Sequence, residues 1–114
     1  MSYDVELVYD DGVAQVPSHL EGGILTMGGN PYAEMSVTYN YNAYYSKFLH
    51  TKGMRGLSGL TGRQSIPNLE HAVEILGTER DKDYWASTPG NAGYALSVML
   101  NWARLHPSAV WDIR

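Results

Sequence analysis

Two hydrophobic rhythms divide this chain, and they do not interleave. In residues 3–9 and again in 34–42, apolar and polar side chains alternate with the period of two of a half-buried strand. From residue 65 onward apolar residues recur every three to four positions, the spacing of helices that bury one face. Strand patterns followed by helix patterns predict an α+β domain, an antiparallel sheet of four or five strands packed on about three helices. With 114 residues, 44% apolar and 18% charged, the composition is globular and the length suits one core, so a single domain over 1–114 is expected.

Local signals place the elements. Val5, Leu7 and Tyr9 alternate with Asp4, Glu6 and Val8, and Asp10, Asp11 and Gly12 then turn the chain into Val13, Ala14 and Val16, a hairpin pattern. Between the Gly-Gly pairs at 22–23 and 28–29, a four-residue apolar piece reads as a short strand hinged at both ends. The clearest strand is 34–42, where Met35, Val37, Tyr39 and Tyr41 alternate with Glu34, Ser36, Thr38, Asn40 and Asn42. Asn42 is suited to cap a helix beginning at Ala43. Gly53, Gly56, Gly59 and Gly62, three apart, predict a loop or a chain of turns. The next helix is expected to be capped by Ser65, to carry Pro67 in its first turn and to stop at Gly77, with Ile66, Leu69, Val73 and Leu76 as its apolar stripe. Thr88 caps the last helix, which opens on Pro89 and stops before Pro107, and 108–113 reads as a final edge strand.

Composition removes several functions. There is no cysteine, which rules out a disulfide framework, a thiolate zinc site and a thiol nucleophile. No apolar run reaches the roughly 18 residues of a membrane helix, and the opening "MSYDVELVYD" is acidic where a secretion signal would be basic. A soluble, cytoplasmic chain without a membrane segment is expected. A net charge of −4 disfavours nucleic acid, although Lys52, Arg55 and Arg63 form a local basic set. His19, His50, His71 and His106 show no metal-binding spacing, no G-x-S-x-G elbow occurs, and the acids at 10–11 and 79–83 lie in turn-like segments. No catalytic residue, metal or cofactor is therefore assigned, and a small hydrolase ranks behind binding without turnover.

Three features carry the binding expectation, each beside a plainer one. Thr38, Asn40 and Asn42 offer uncharged donors and acceptors suited to a base, a ribose or a peptide, or else form an ordinary solvent-facing strand side. Tyr39 and Tyr41 belong to the core face, leaving Tyr44 and Tyr45 to reach a ligand. The glycine run with Arg55 and Arg63 can cradle phosphate, or be a simple connection; it matches neither the dinucleotide nor the phosphate-loop fingerprint. In "TPGNAG", the N–H groups after Thr88, around Gly90 and Asn91, form an anion-binding helix start beside a stacking Trp85. The plainer alternative is a helix start whose glycines permit close packing.

The succession "EGG", "VTYNY", "GLTGRQ" and "W..T.GNA..AL" resembles a family of small uncharacterised proteins carried by bacteriophages and prophages, over nearly the whole chain. Ser36 stands where such chains often have asparagine. The resemblance implies a phage setting and carries over no catalytic residues. Together these readings predict a non-enzymatic accessory protein that captures a small phosphorylated, nucleotide-like molecule such as a host immune signal. The alternative is an inhibitor that grips a host protein through exposed Tyr and Trp. A homodimer through the first hairpin or the C-terminal "AVWDI" edge is also expected. The site requires that the amide row of 34–42 and the first turn of the last helix share one hollow.

Overall fold

A computed structural model describes residues 1–19 and 30–114. The short strand expected between the two Gly-Gly pairs lies outside the described residues. Along the chain run β1 (Ser2–Tyr9), β2 (Gly12–Val13), β3 (Gln15–His19), β4 (Asn30–Tyr32), β5 (Glu34–Thr38), α1 (Asn42–Phe48), α2 (Gly62–Leu76), α3 (Pro89–Leu105) and β6 (Val110–Ile113), with single 3-10 turns at Tyr39–Tyr41 and Gly53–Leu57. This is the α+β architecture that the two rhythms predict.

β1 is the spine of a four-stranded antiparallel sheet. β5 pairs with it from Ser2↔Thr38 to Glu6↔Glu34, and β6 pairs along its other edge from Val5↔Ile113 to Val8↔Val110. Alternation then sorts the side chains. Tyr3, Val5, Leu7, Met35, Val37, Trp111 and Ile113 are buried against the helices. Asp4, Glu6, Glu34 and Asp112 fall on the opposite face, where Glu6 has a carboxylate directly across from it on each neighbouring strand. Such like-charge pairs destabilise a sheet. Arg114 offsets them with ion pairs to Glu6 at 2.8 Å and Asp112 at 3.6 Å. Where β2 and β3 peel away from β1, the Leu7 N–H donates to Ala33, Ala33 to Ala14, and Ala14 to Leu7, closing a ring of three buried residues with no orphaned backbone.

α2 and α3 form the largest contact between elements, and glycine sets their spacing at both ends of the antiparallel pair. A Cβ on Gly62, at the start of α2, would lie 2.6 Å from the His106 carbonyl oxygen, and one on Gly93, near the start of α3, 1.8 Å from that of Gly77. Gly62, expected in a loop, is thus a residue that lets two helices touch, and Gly93 packs closely, as the plainer alternative for the last helix start had it.

Three expected boundaries move. β5 ends at Thr38, not at residue 42, because the Thr38 hydroxyl accepts the Asn40 N–H and caps the 3-10 turn. Tyr41 and Tyr45, four apart and both fully buried, supply the helical register that the period-of-two reading overlooked. Asn42 is accordingly the first residue of α1 and no cap. α2 starts three residues before Ser65, at a capping box in which Thr61 accepts the Gln64 N–H and Gln64 accepts the Thr61 N–H. Ser65 is instead a core residue, donating to the Gly62 carbonyl and accepting the Trp111 indole N–H. The "AVWDI" edge is covered: Gly59 donates to the Trp111 carbonyl, Trp111 donates to Leu60, and Thr61 bridges Val110. No free edge for dimer pairing remains along those residues. No helix among the described residues is long and apolar enough to cross a membrane.

Candidate functional site

α1 splits the predicted site residues into two groups. On one side the helix and the turn before it are laced to the loop that precedes α3. The Asn40 side-chain amide donates to the Trp85 carbonyl at 2.9 Å, and Ser87 donates to the Asn40 carbonyl at 2.8 Å. The Tyr44 hydroxyl donates to the Ser87 carbonyl at 3.1 Å, and that of Tyr41 to the Tyr84 carbonyl. Thr38 is buried and spends its hydroxyl on the turn. The amide row and the start of α3 do come together, but the protein's own groups fill the space between them. Among the described residues these two elements are joined directly by hydrogen bonds where a shared hollow was expected.

The start of α3 is also closed. Asn91 is fully buried; its side chain accepts the Asp81 N–H at 2.9 Å and donates to the carbonyls of Asp83 and Ala86, both at 3.0 Å. Thr88 caps the helix by accepting the Asn91 N–H. Gly90 lies so near the chain after α2 that a Cβ would sit 1.7 Å from the Glu79 carbonyl oxygen. Asn91 and Gly90 therefore hold the loop in place. A depression of about 370 Å³ does adjoin Thr88, Pro89 and Gly90, but Glu79 and Asp81 also line it. Its one cation, Arg80, lies 4.5 Å from the Tyr94 ring. Two carboxylates make this a poor seat for phosphate. Trp85 stays 48% exposed, edge-on to Tyr84. Arg63 is exposed in the first turn of α2 and lines neither this depression nor the next.

The other side of α1 carries a different arrangement. A depression of about 430 Å³ lies between Asn42, Ala43 and Ser46 of α1, the Thr51–Gly53 turn and the rim of Tyr3. The Tyr3 hydroxyl donates to Asn42 Oδ1. Burial pushes the Tyr3 phenol above its ordinary pKa against the opposing pull of Arg55, so it stays a donor. The amide nitrogen of Asn42 is left with no partner among the described residues. Arg55 donates to the Tyr39 hydroxyl at 3.0 Å and lies 4.9 Å from the Tyr3 ring and 5.7 Å from that of Tyr39. It braces the wall. Lys52 has no ion pair among the described residues, and its backbone N–H donates to His50 Nδ1 at 3.0 Å. Gly53 turns the chain with φ +66°, and Gly56 admits the His50 ring, which a Cβ would meet at 2.1 Å. The two glycines fold this turn tightly, and Lys52 and Asn42 line the same depression.

Of the predicted residues, Asn42 lines the depression and Arg55 braces it from behind; Lys52 belongs to the basic set seen in the sequence. Tyr3, Ser46 and Thr51 went unforeseen. Nothing local marks Tyr3, since only the β1–β5 register carries it to Asn42, 39 residues away. No group of three or more His, Cys, Asp or Glu residues able to hold a metal occurs among the described residues. Compared with protein-family models, curated proteins and solved structures, the chain matches none.

Proposed function

We propose that this protein binds a small phosphorylated molecule, without turnover, in the depression between α1 and the Thr51–Gly53 turn. One observation carries the reading: Lys52, Asn42, Thr51 and Ser46 all line one depression of about 430 Å³, within the usual range of small-molecule sites. An ammonium and an amide donor suit an anionic oxygen, and no carboxylate lines the hollow to oppose it. The resemblance to phage-carried chains gives the capture a purpose, sequestering a host signalling nucleotide.

Titration of the full chain with AMP, followed by amide-resolved NMR, tests this. AMP is expected to shift the Thr51, Lys52 and Gly53 amides, and Lys52→Ala to weaken binding by about tenfold or more, the scale of one charge-assisted hydrogen bond. Unmoved amides, or unchanged affinity in the variant, refute the reading. A second reading rests on Trp85, 48% exposed on a loop pinned by Asn40, Ser87 and Asn91. A rigid exposed Trp is the kind of anchor that protein interfaces use, and a host protein would be its partner. Trp85→Ala leaves AMP binding unchanged if the first reading holds.

A further inference from the structure

We infer that the ligand is recognised through its phosphate and its hydroxyl groups and not through a stacked base, so that its class is a phosphorylated sugar or polyol. This rests on the binding reading above and narrows it. The one aromatic residue lining the depression is Tyr3. Its ring is not available: Tyr3 is 6% exposed, with the Arg55 guanidinium 4.9 Å from the ring and Tyr39 packed edge-on at 4.6 Å. A flat base entering the hollow finds no face to lie on.

The exposed rings are elsewhere. At about 100° per residue, Asn42, Ser46 and Ala43 share one arc of α1 and Tyr44 points away from it. Tyr44 is tied to Ser87, on the side where Trp85 sits. A ligand in the depression therefore cannot use Tyr44 or Trp85 as a stacking platform. What the hollow does offer matches a polyol phosphate group by group. Lys52 brings up to three donors and Asn42 an amide N–H pair, both suited to phosphate oxygens. The Ser46 hydroxyl gives its proton to the carbonyl of Asn42 at 3.1 Å or Ala43 at 3.4 Å, which leaves its lone pairs to accept a sugar O–H. Thr51 can donate or accept. A purine on such a ligand projects into solvent and adds little.

The experiment compares inorganic phosphate, ribose phosphate, AMP and adenosine against the full chain, reading the Thr51–Gly53 amides, the Asn42 side-chain amide and the Trp85 indole. Ribose phosphate is expected to bind about tenfold more tightly than inorganic phosphate, and AMP to match it within about threefold. Adenosine should leave the site unshifted, and the Trp85 indole should not move with any of them. If the Thr51–Gly53 amides shift but AMP binds tenfold or more tightly than ribose phosphate, or the Trp85 indole shifts along with those amides, the sugar-phosphate class is wrong while the binding reading stands; if adenosine alone binds, both are wrong. If ribose phosphate binds no better than inorganic phosphate, the hydroxyl contacts are wrong. If none of the phosphorylated compounds binds at millimolar concentration, both fail together.

Discussion

Asn91 shows how much one side chain can organise. It is fully buried and makes three side-chain hydrogen bonds, which fix the 81–86 loop and through it the backbone that holds Asn40, Tyr41 and Tyr44. Removing a buried amide strands its partners, at about 1–3 kcal/mol for each group left unsatisfied. Asn91→Ala is expected to lower unfolding free energy by about 2–4 kcal/mol, measured by urea denaturation. Asn91→Asp should cost at least as much, because it places a carboxylate oxygen against the carbonyls of Asp83 and Ala86. A loss under about 0.5 kcal/mol for both, the scale of surface substitutions, would show that the loop does not depend on this residue.

In the α2–α3 pair, close helix contact decides the effect of a glycine substitution. Glycine inside an exposed helix normally costs about 1 kcal/mol relative to alanine, so Gly→Ala is usually stabilising. At Gly93 the sign reverses. The new Cβ would lie 1.8 Å from the Gly77 carbonyl oxygen, and separating the helices there disturbs a packed core, at about 1–3 kcal/mol or more. Gly93→Ala should therefore lower the thermal midpoint, and a stabilised variant would contradict the close approach. The same pair shows what was legible in the sequence. The Thr88–Pro89 start, the beginning of the 34–42 strand and the stop at Gly77 are local signals and are found where expected, while that strand ends at Thr38 and not at 42. The Thr61–Gln64 capping box was equally local, but the glycine run around it reads more strongly as loop. Close packing by the glycines of the last helix start was one of two alternatives the sequence offered; the Gly62 approach to His106 and the Tyr3–Asn42 contact were not legible, because each depends on a residue distant in sequence whose position only the tertiary fold supplies.

At the scale of the whole molecule, the buried tyrosines link the fold to pH. Tyr3, Tyr41 and Tyr45 all lie in the core, and burial is the largest cause raising each phenol above its ordinary pKa, well above it for Tyr45. In the unfolded chain they titrate near pH 10. The folded state therefore holds its phenolic protons more tightly than the unfolded state. Their contribution to stability is full below about pH 10 and is lost as pH rises from there toward the folded pKa values, at about 1.4 kcal/mol per pH unit for each tyrosine. Each group adds to this loss only while the pH lies between about 10 and its own folded value, and a domain's total is only about 5–15 kcal/mol. Each tyrosinate also adds negative charge to a chain already at −4, and among the described residues no cation approaches Tyr41 or Tyr45 as Arg55 approaches Tyr3. Alkaline unfolding should thus be cooperative, with tyrosinate absorbance and far-ultraviolet circular dichroism changing together within a few pH units above 10. If all nine tyrosines instead titrate gradually near pH 10 while the dichroism stays native, the rings of Tyr3, Tyr41 and Tyr45 are open to solvent and the core is not the one described.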